Sequence, residues 1–324
     1  MFRSIQRAVG CAAVLVLGLS ACGGGGEPVA EADAETSAPV STAGEPSGSE
    51  PSVSEPPATE PASPNAPALD LRIVSLSPSA TEMIFAIGAG DLVVAVDDQS
   101  NFPEAALAVQ TDLSGYTPNI EAIAAYEPDL VLHDGTTDLG AQLDGIGIDD
   151  WVGAAPTSFD DIYVQIEELG AATGRSAEAT ALVTDMRAEI EAAVAAAERD
   201  VPLRYYHELD PTLFTVTSNT FIGQVYGLFG LQNIADTTEG TTDYPQLSAE
   251  FLVSQSPHLI FLADTKCCGE SAESVAARPG WETITAVVDG NIIAIDDDIA
   301  SRWGPRIVEF VAAVSDAVAA TAGS

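Results

Sequence analysis

The sequence predicts an α/β protein of two similar lobes joined by a single long spine helix. Three observations predict it: an unbroken helical stretch in mid-chain, brief strands alternating with helices on either side of it, and one element that recurs in both halves. The middle stretch is Ser176 to Asp200, SAEATALVTDMRAEIEAAVAAAERD, with nine alanines and neither glycine nor proline, so helix propensity is high throughout. Leu182, Met186, Ile190 and Val194 give it one apolar stripe opposite an acidic back. Ser176 is the expected N-cap, and Val201-Pro202 the stop. At about 1.5 Å per residue the helix is roughly 35 Å long, enough to cross a small domain.

In the first half, Arg72 to Ser77 (RIVSLS) reads as a strand that Pro78 ends. Ser79, Thr81 and Glu82 then open a helix through Ile87, which Gly88 and Gly90 close. Leu92 to Val96 is the next strand, and Asp97 to Pro103 is the loop after it. The loop Thr111 to Pro118 presents Tyr116, and a short helix from Asn119 to Tyr126 leads to the strand Leu130 to His133. Strands each followed by a helix imply a parallel sheet with ligand contacts outside its carboxyl ends, where Tyr116 and His133 fall.

In the second half, Leu203 to His207, Leu213 to Val216, Leu259 to Ala263 and Ile292 to Ile295 are expected strands, with a helix over Phe221 to Gly230. The informative comparison is between NIEAI through PDLV, starting at Asn119, and SAEFL through PHLI, starting at Ser248. In both, a glutamate at the head of a short helix, Glu121 or Glu250, precedes a proline that introduces an apolar strand. Two roles are open to these glutamates: favouring a helix N-terminus, worth about 0.3–1 kcal/mol each, or forming one acidic knob per lobe for a partner's arginines.

The ends and the composition set the compartment. Arg3 and Arg7 precede an apolar run from Val9 to Leu19, and small residues follow up to Cys22, the layout of a secretory signal over residues 1–21. Leu19-Ser20-Ala21-Cys22 resembles a bacterial lipobox, in which Cys22 carries lipid. Residues 22–70 are Gly, Pro, Ser, Ala, Thr and Glu with hardly any large apolar side chain, the composition of a disordered, lipid-anchored linker. The expected organisation is therefore signal (1–21), linker (22–70), first lobe (71–174), spine (175–200) and second lobe with its closing helix (201–324). A net charge of −38 with a single lysine, Lys266, disfavours a nucleic-acid partner, whose phosphates nothing could neutralise. Only Cys267 and Cys268 stay in the folded part; they form either a vicinal disulfide or an ordinary turn with two thiols, because adjacent Cα atoms lie closer than disulfides prefer.

Together the lipobox, the spine helix, the opening RIVSLSPSATEMIFAIGAGDLVVAV, the NIEAIAAYEPDLVL element and the closing ASRWGPRIVEFVAAV resemble the helical-backbone (class III, Fe/B12-type) solute-binding lipoproteins of ABC importers, over roughly residues 71 to 320. SLSPSATE and SRWGPR bring the chain nearest the vitamin B12-binding branch. The resemblance implies two Rossmann-like lobes with a cleft between them, and an extracytoplasmic receptor that captures cobalamin, a ferric siderophore or haem. It further implies a lipid anchor at Cys22 in the cell membrane, a monomer, and delivery to an ABC permease and its ATPase gripped through Glu121 and Glu250. No cofactor is expected; cobalt or iron would arrive inside the ligand.

The candidate ligand-binding residues come from strand ends in both lobes. Ser79, Tyr116, His133 and Asp134 would line one wall, and His207, Glu208, Tyr244, Cys267, Cys268, Arg302 and Trp303 the other. Where B12 binders of this family place a tryptophan against the corrin, the loop here reads Ser114-Gly115-Tyr116, so Tyr116 is the candidate stacking face. Arg302 either holds an anionic ligand group or pairs with Asp296, Asp297 or Asp298; Trp303 either faces the ligand or plugs the core. The alternative within binding is a free metal ion or another small organic solute; free Zn or Mn would need several converging His and carboxylate ligands, and only His133, His207 and His258 exist. Haem could draw an axial ligand from Tyr116, Tyr244, His133 or His207. A secreted hydrolase is the alternative of a different class, but no G-x-S-x-G, H-E-x-x-H or P-loop occurs, and no enzymatic activity is expected.

Overall fold

Short strands stand side by side in two parallel sheets, one formed by the chain before a long helix and one by the chain after it. The computed structural model describes residues 70–197, 202–238, 240 and 242–321. The expected signal (1–21), Cys22 and the linker up to residue 69, and the last residues of the spine stretch (198–200), lie outside these. The first lobe runs β1 (Ile73–Ser75), α1 (Pro78–Ala86), β2 (Val93–Val96), α2 (Ile120–Ala124), β3 (Leu130–His133), α3 (Leu139–Asp144), β4 (Asp149–Val152) and α4 (Phe159–Ala172). Then comes the spine, α5 (Ser176–Ala196). The second lobe runs β5 (Arg204–Glu208), α6 (Phe221–Gly227), β6 (Gln232–Asn233), α7 (Ala249–Gln255) and β7 (Leu259–Leu262). It closes with α8 (Ala272–Ala276), α9 (Thr285–Val288), β8 (Ile292–Ala294), α10 (Asp297–Ser301) and α11 (Ile307–Ala320).

The sheet orders, β2-β1-β3-β4 and β6-β5-β7-β8, are the same order taken twice. Every pairing is parallel, so all strands of a sheet point their carboxyl ends the same way. The central strands are buried on both faces; β3 and β7 accordingly read as largely apolar runs, while β5, RYYHE, buries polar side chains as well. The main core is continuous from Ile73 and Leu132 of the first sheet, through Ile166 of α4 and Met186 of α5, to Phe261 and Phe310 of the second lobe. Each such side chain contributes about 1.5–3 kcal/mol on burial.

The spine begins with Arg175 at its N-cap and no side-chain hydrogen bond there, so Ser176 is its first turn rather than its cap. Its fully buried residues are Ala179, Val183, Met186 and Ile190, while Leu182 and Val194 are only half-buried. The stripe is turned from the expected one because α5 packs against α4 and α11 together. Gly170 of α4 lies so close to Ala179 that a Cβ there would collide, and Ser315 of α11 donates to the Ala193 carbonyl at 2.7 Å.

Two further expectations are corrected. Leu213 to Val216 is no strand: Leu213 has φ 71, and the segment touches 243–247 through one isolated antiparallel bridge, Phe214 with Gln246. The sheet takes its edge strand from Gln232–Asn233 instead. The helix expected to reach Gly230 ends at Gly227.

The duplicated element is a hydrogen-bonded unit in both lobes. Asn119 caps α2 and Ser248 caps α7 through their side chains. Each helix is followed by a residue of positive φ, Glu127 at 48° and Ser256 at 42°. Arg72 then donates to the carbonyls of Tyr126 and Glu127, and Arg204 to those of Gln255 and Ser256. The Arg72 N–H bonds Asp129 and the Arg204 N–H bonds His258, again at matching positions. Glu121 and Glu250 stand exposed in the first turns of these two helices.

Candidate functional site

Segments leaving the carboxyl ends of both sheets meet at the seam between the lobes and enclose a cavity of about 100 Å³. Ala155 and Pro156, just after β4, form its first-lobe side. Phe221 and Ile222 of α6, Tyr244, Phe310 and the run Ser301-Arg302-Trp303 form the other. The lining is chiefly apolar and aromatic, and Tyr244 is half exposed at 52 %. That volume is below the few hundred Å³ of a typical enclosed small-molecule site, so the cavity is a narrow slot, too small to enclose a bulky solute by itself. A shallower groove of about 750 Å³ lies along α4, α5 and α6, where Arg187 pairs with Asp160 and lies over the Tyr163 ring.

The seam is held by polar ties across it. Glu82 of α1 is buried, and its carboxylate accepts from Arg302 Nη1 at 3.1 Å, Arg306 Nε at 3.0 Å and Arg306 Nη2 at 2.5 Å. Arg302 continues to Asn101 Oδ1, the Gln99 carbonyl and Asp298. The Trp303 N–H donates to Ser79 Oγ at 3.3 Å. Gln224 of α6 donates to the Thr157 carbonyl at 2.5 Å, and the Phe159 and Phe221 rings stand 5.2 Å apart.

Of the expected ligand residues, the cavity gathers Tyr244, Arg302 and Trp303. Trp303 faces this slot, and Arg302 makes the salt bridge to Asp298 that was one of its two open roles. Ser79 is buried and holds the Trp303 backbone, a supporting position. Tyr116 is 76 % exposed on the loop after β2. Gly115 packs so tightly on the Leu76 carbonyl that a Cβ there would collide, and the next side chain is left in solvent. Asp134 is turned back on its own loop, accepting from the N–H and hydroxyl of Thr136.

The histidines and Glu208 are placed otherwise than the strand-end reasoning expects. His133 is buried: Nδ1 accepts from the Gly135 N–H, so Nε2–H donates to Asp150 at 2.9 Å. His207 is fully buried against Tyr226 and Phe310, with Nδ1 2.7 Å from the Tyr226 hydroxyl. Burial pushes its pKa down to about 3, the expected effect of desolvating an imidazolium. Glu208 is buried on the opposite face of the strand, gripped by Arg278 through two bonds of 2.7 and 2.5 Å. Alternation along β5 sends these neighbours to opposite faces, and both faces of this strand are covered. Cys267 and Cys268 are bonded to each other as a vicinal disulfide and are exposed, outside the cavity lining.

Two buried carboxyls lie just beyond strand ends, one in each lobe. Asp97, at the end of β2, is pushed up to about 6 by desolvation, against the hydrogen bonds from Ser100. Asp264, after β7, is pushed up to about 7, by desolvation first and then by the Glu208 carboxylate beside it; neither of its oxygens has a hydrogen-bond donor. Every lysine and arginine among the described residues is already engaged. Arg72 and Arg204 hold carbonyls, and Arg175, Arg187, Lys266, Arg278, Arg302 and Arg306 hold carboxylates. Among the described residues no free cation faces the cavity.

Sequence reasoning missed Ala155, Pro156, Phe221 and Ile222. The first two follow β4, whose sequence DDWV carries little strand signal. Phe221 and Ile222 lay inside an expected helix, with nothing in the pattern to mark them as facing the other lobe.

Twin parallel-sheet lobes with an aromatic slot at their shared seam define a solute-binding protein built on a helical spine. The chain belongs to the periplasmic binding protein family, whose profile matches residues 73–299. It is 33 % identical over 257 residues to a cobalamin-binding protein of Halobacterium salinarum, covering 76 % of this chain and 69 % of that one. It is 30 % identical to the uncharacterized ABC transporter substrate-binding lipoprotein YvrC of Bacillus subtilis, covering 76 % and 79 %. Among solved structures it is similar to the periplasmic heme-binding protein RhuT of Roseiflexus sp. RS-1, with TM-score 0.70, 26 % identity, and 78 % of this chain and 99 % of that one covered. It is also similar to the periplasmic vitamin B12-binding protein BtuF of Vibrio cholerae, with TM-score 0.66, 26 % identity, and coverage of 78 % and 98 %.

Proposed function

We propose that this chain captures a bulky, uncharged metal chelate outside the cytoplasm, with cobalamin the first choice, and delivers it to an ABC permease and its ATPase. It acts as a monomer tethered through lipid on Cys22. The observation that carries the reading is the slot between the lobes, whose aromatic side chains Trp303, Tyr244 and Phe221 offer apolar faces while the nearby cations among the described residues, Arg302 and Arg306, are neutralised. A macrocycle with one edge in the slot and the rest across its mouth would bury its apolar faces. The amide rim of a corrin needs hydrogen bonds but no counter-ion.

Charge separates cobalamin from the other chelates of this class. Haem brings two carboxylates and many ferric siderophores are anionic; binding either here would leave those charges beside Asp298 and Glu82 without a partner. His133 and His207 are pinned in the interior, which leaves the exposed phenols Tyr116 and Tyr244 as the accessible axial ligands for haem. For a bare metal ion, no group of three His, Cys, Asp or Glu side chains converges among the described residues.

The test is titration of the purified protein with cyanocobalamin, haemin and ferric siderophores, followed by tryptophan emission with inner-filter correction and by calorimetry. Saturable one-to-one binding of cyanocobalamin, with quenching that Trp303→Phe removes, is expected. Tighter binding of haemin or of an anionic siderophore would refute the charge argument.

A further inference from the structure

The loop Asp264–Glu270 carries the sole disulfide among the described residues, between the exposed neighbours Cys267 and Cys268. A cross-link between adjacent residues encloses no intervening chain, so it removes almost no loop entropy from the unfolded state. Its effect is therefore local: it constrains the Cys267–Cys268 peptide and the backbone on either side.

That backbone is wired to the cavity wall. The N–H groups of Thr265, Lys266 and Cys267 converge on the Asp297 carboxylate at 2.8, 3.0 and 2.8 Å, and the Thr265 hydroxyl joins them at 2.9 Å. On the other side, the N–H groups of Cys268 and Glu270 both return to the Asp264 carbonyl. Lys266 Nζ bridges Asp296 and Asp298 at 2.6 and 3.0 Å. Asp297 is the first residue of α10, and the far end of that helix is Ser301-Arg302-Trp303, the cavity wall and the tie to the other lobe. One layer of hydrogen bonds thus separates the sulfurs from the slot.

We infer that Cys267–Cys268 is a thiol–disulfide exchange site, through which a dithiol reductant loosens the Asp297 cradle and with it the cavity wall carried by α10. The inference rests on the reading of that cavity as the ligand site. In the exchange, a thiolate of the reductant attacks one exposed Sγ; the S–S bond breaks, and the other Sγ leaves as a thiolate that takes a proton from water. The reductant's second thiol, losing its proton, then displaces the attacked cysteine from the mixed disulfide. The protein gains two electrons and two protons as a dithiol, and the reductant departs as its own disulfide. Oxidation reverses this between neighbours already side by side.

The experiment uses the full chain in detergent with dithiothreitol as the probe. It counts thiols by maleimide labelling and mass spectrometry, with the labelled peptides assigned, while tryptophan emission and cyanocobalamin affinity are read on the same samples. Under native conditions Cys267 and Cys268 are expected to label together and emission from Trp303 to shift, with the shift absent in Trp303→Phe. Affinity for cyanocobalamin is expected to fall about tenfold, the equivalent of weakening one charge-assisted hydrogen bond. C267S/C268S should show the reduced behaviour permanently and ignore the reductant. If that variant does not fold, the thiol count and emission of the unaltered chain decide alone. Labelling that requires urea would overturn the inference, as would labelling without any change in Trp303 emission. If cyanocobalamin binds neither form, the ligand assignment fails by itself, and the exchange site still stands or falls on the thiol count and emission.

Discussion

Replacing Glu82 with alanine should be the most damaging single change at the seam. Its side chain is 1 % exposed and receives three hydrogen bonds from two guanidiniums that are themselves only 11 % and 13 % exposed. Removing one partner of a buried ion pair leaves uncompensated charge and costs about 3–5 kcal/mol. Here both Arg302 and Arg306 lose a partner, but Arg302 keeps Asp298, Asn101 and the Gln99 carbonyl, so the loss should fall near the middle of that range. Against a total stability of about 5–15 kcal/mol, that is a large share. Glu82→Gln preserves the shape but turns an NH₂ towards donors, and should lose roughly half as much. Urea unfolding followed by both circular dichroism and tryptophan emission measures the change, with coincident curves checking two-state behaviour. The double variant E82A/R306A should lose clearly less than the sum of the two single variants. A loss below about 1 kcal/mol in E82A, on a scale where surface ion pairs are worth 0–1, would refute the reasoning and make the seam a surface contact.

Three further outcomes are expected. Asp264, raised to about 7 in the fold, contributes stability that is present below its unfolded pKa near 4 and is lost as pH rises through 7; thermal melts of D264N should therefore gain on the unaltered chain between pH 5 and 8. His207 has the opposite sign: with its pKa near 3 and an unfolded value near 6.5, it costs stability as pH falls below 6.5, so H207Q should lose less between pH 7 and 4.5 in the same assay. Changing both Glu121 and Glu250 to alanine should leave ligand affinity unchanged and abolish uptake in a reconstituted transporter; equal loss of both would return these residues to ordinary helix termini.

The elements legible in the sequence were those bounded by strong local chemistry. β3 was read to the residue because Glu127-Pro128-Asp129 stops the preceding helix, and β7 to within one residue at its far end because Pro257 does the same. β4 escaped notice because Asp149-Asp150-Trp151-Val152 has two carboxylates where an apolar run is expected. The spine was legible as a helix, but its face was not, because two neighbouring helices share it. Within the site, Trp303 and Tyr244 could be singled out as aromatic residues near strand ends. His207 and Glu208 could not be sorted, because period-two alternation tells that they diverge but not that both faces are covered. Arg302 turned on charge pairing, which depends on Glu82 and Asn101, some two hundred residues away in the chain.

The arginine staples at Arg72 and Arg204 have an evolutionary consequence. Each ties the tail of a helix bearing an exposed glutamate to the amino end of a central strand, using main-chain carbonyls rather than side chains. The slot lies at the opposite, carboxyl ends of those sheets, lined by helix and loop residues that share no side chain with the staples. Substitutions that retune the slot can therefore accumulate while each glutamate keeps its place relative to its own sheet. On the docking role proposed for Glu121 and Glu250, selection could change the cargo many times without renegotiating the mooring.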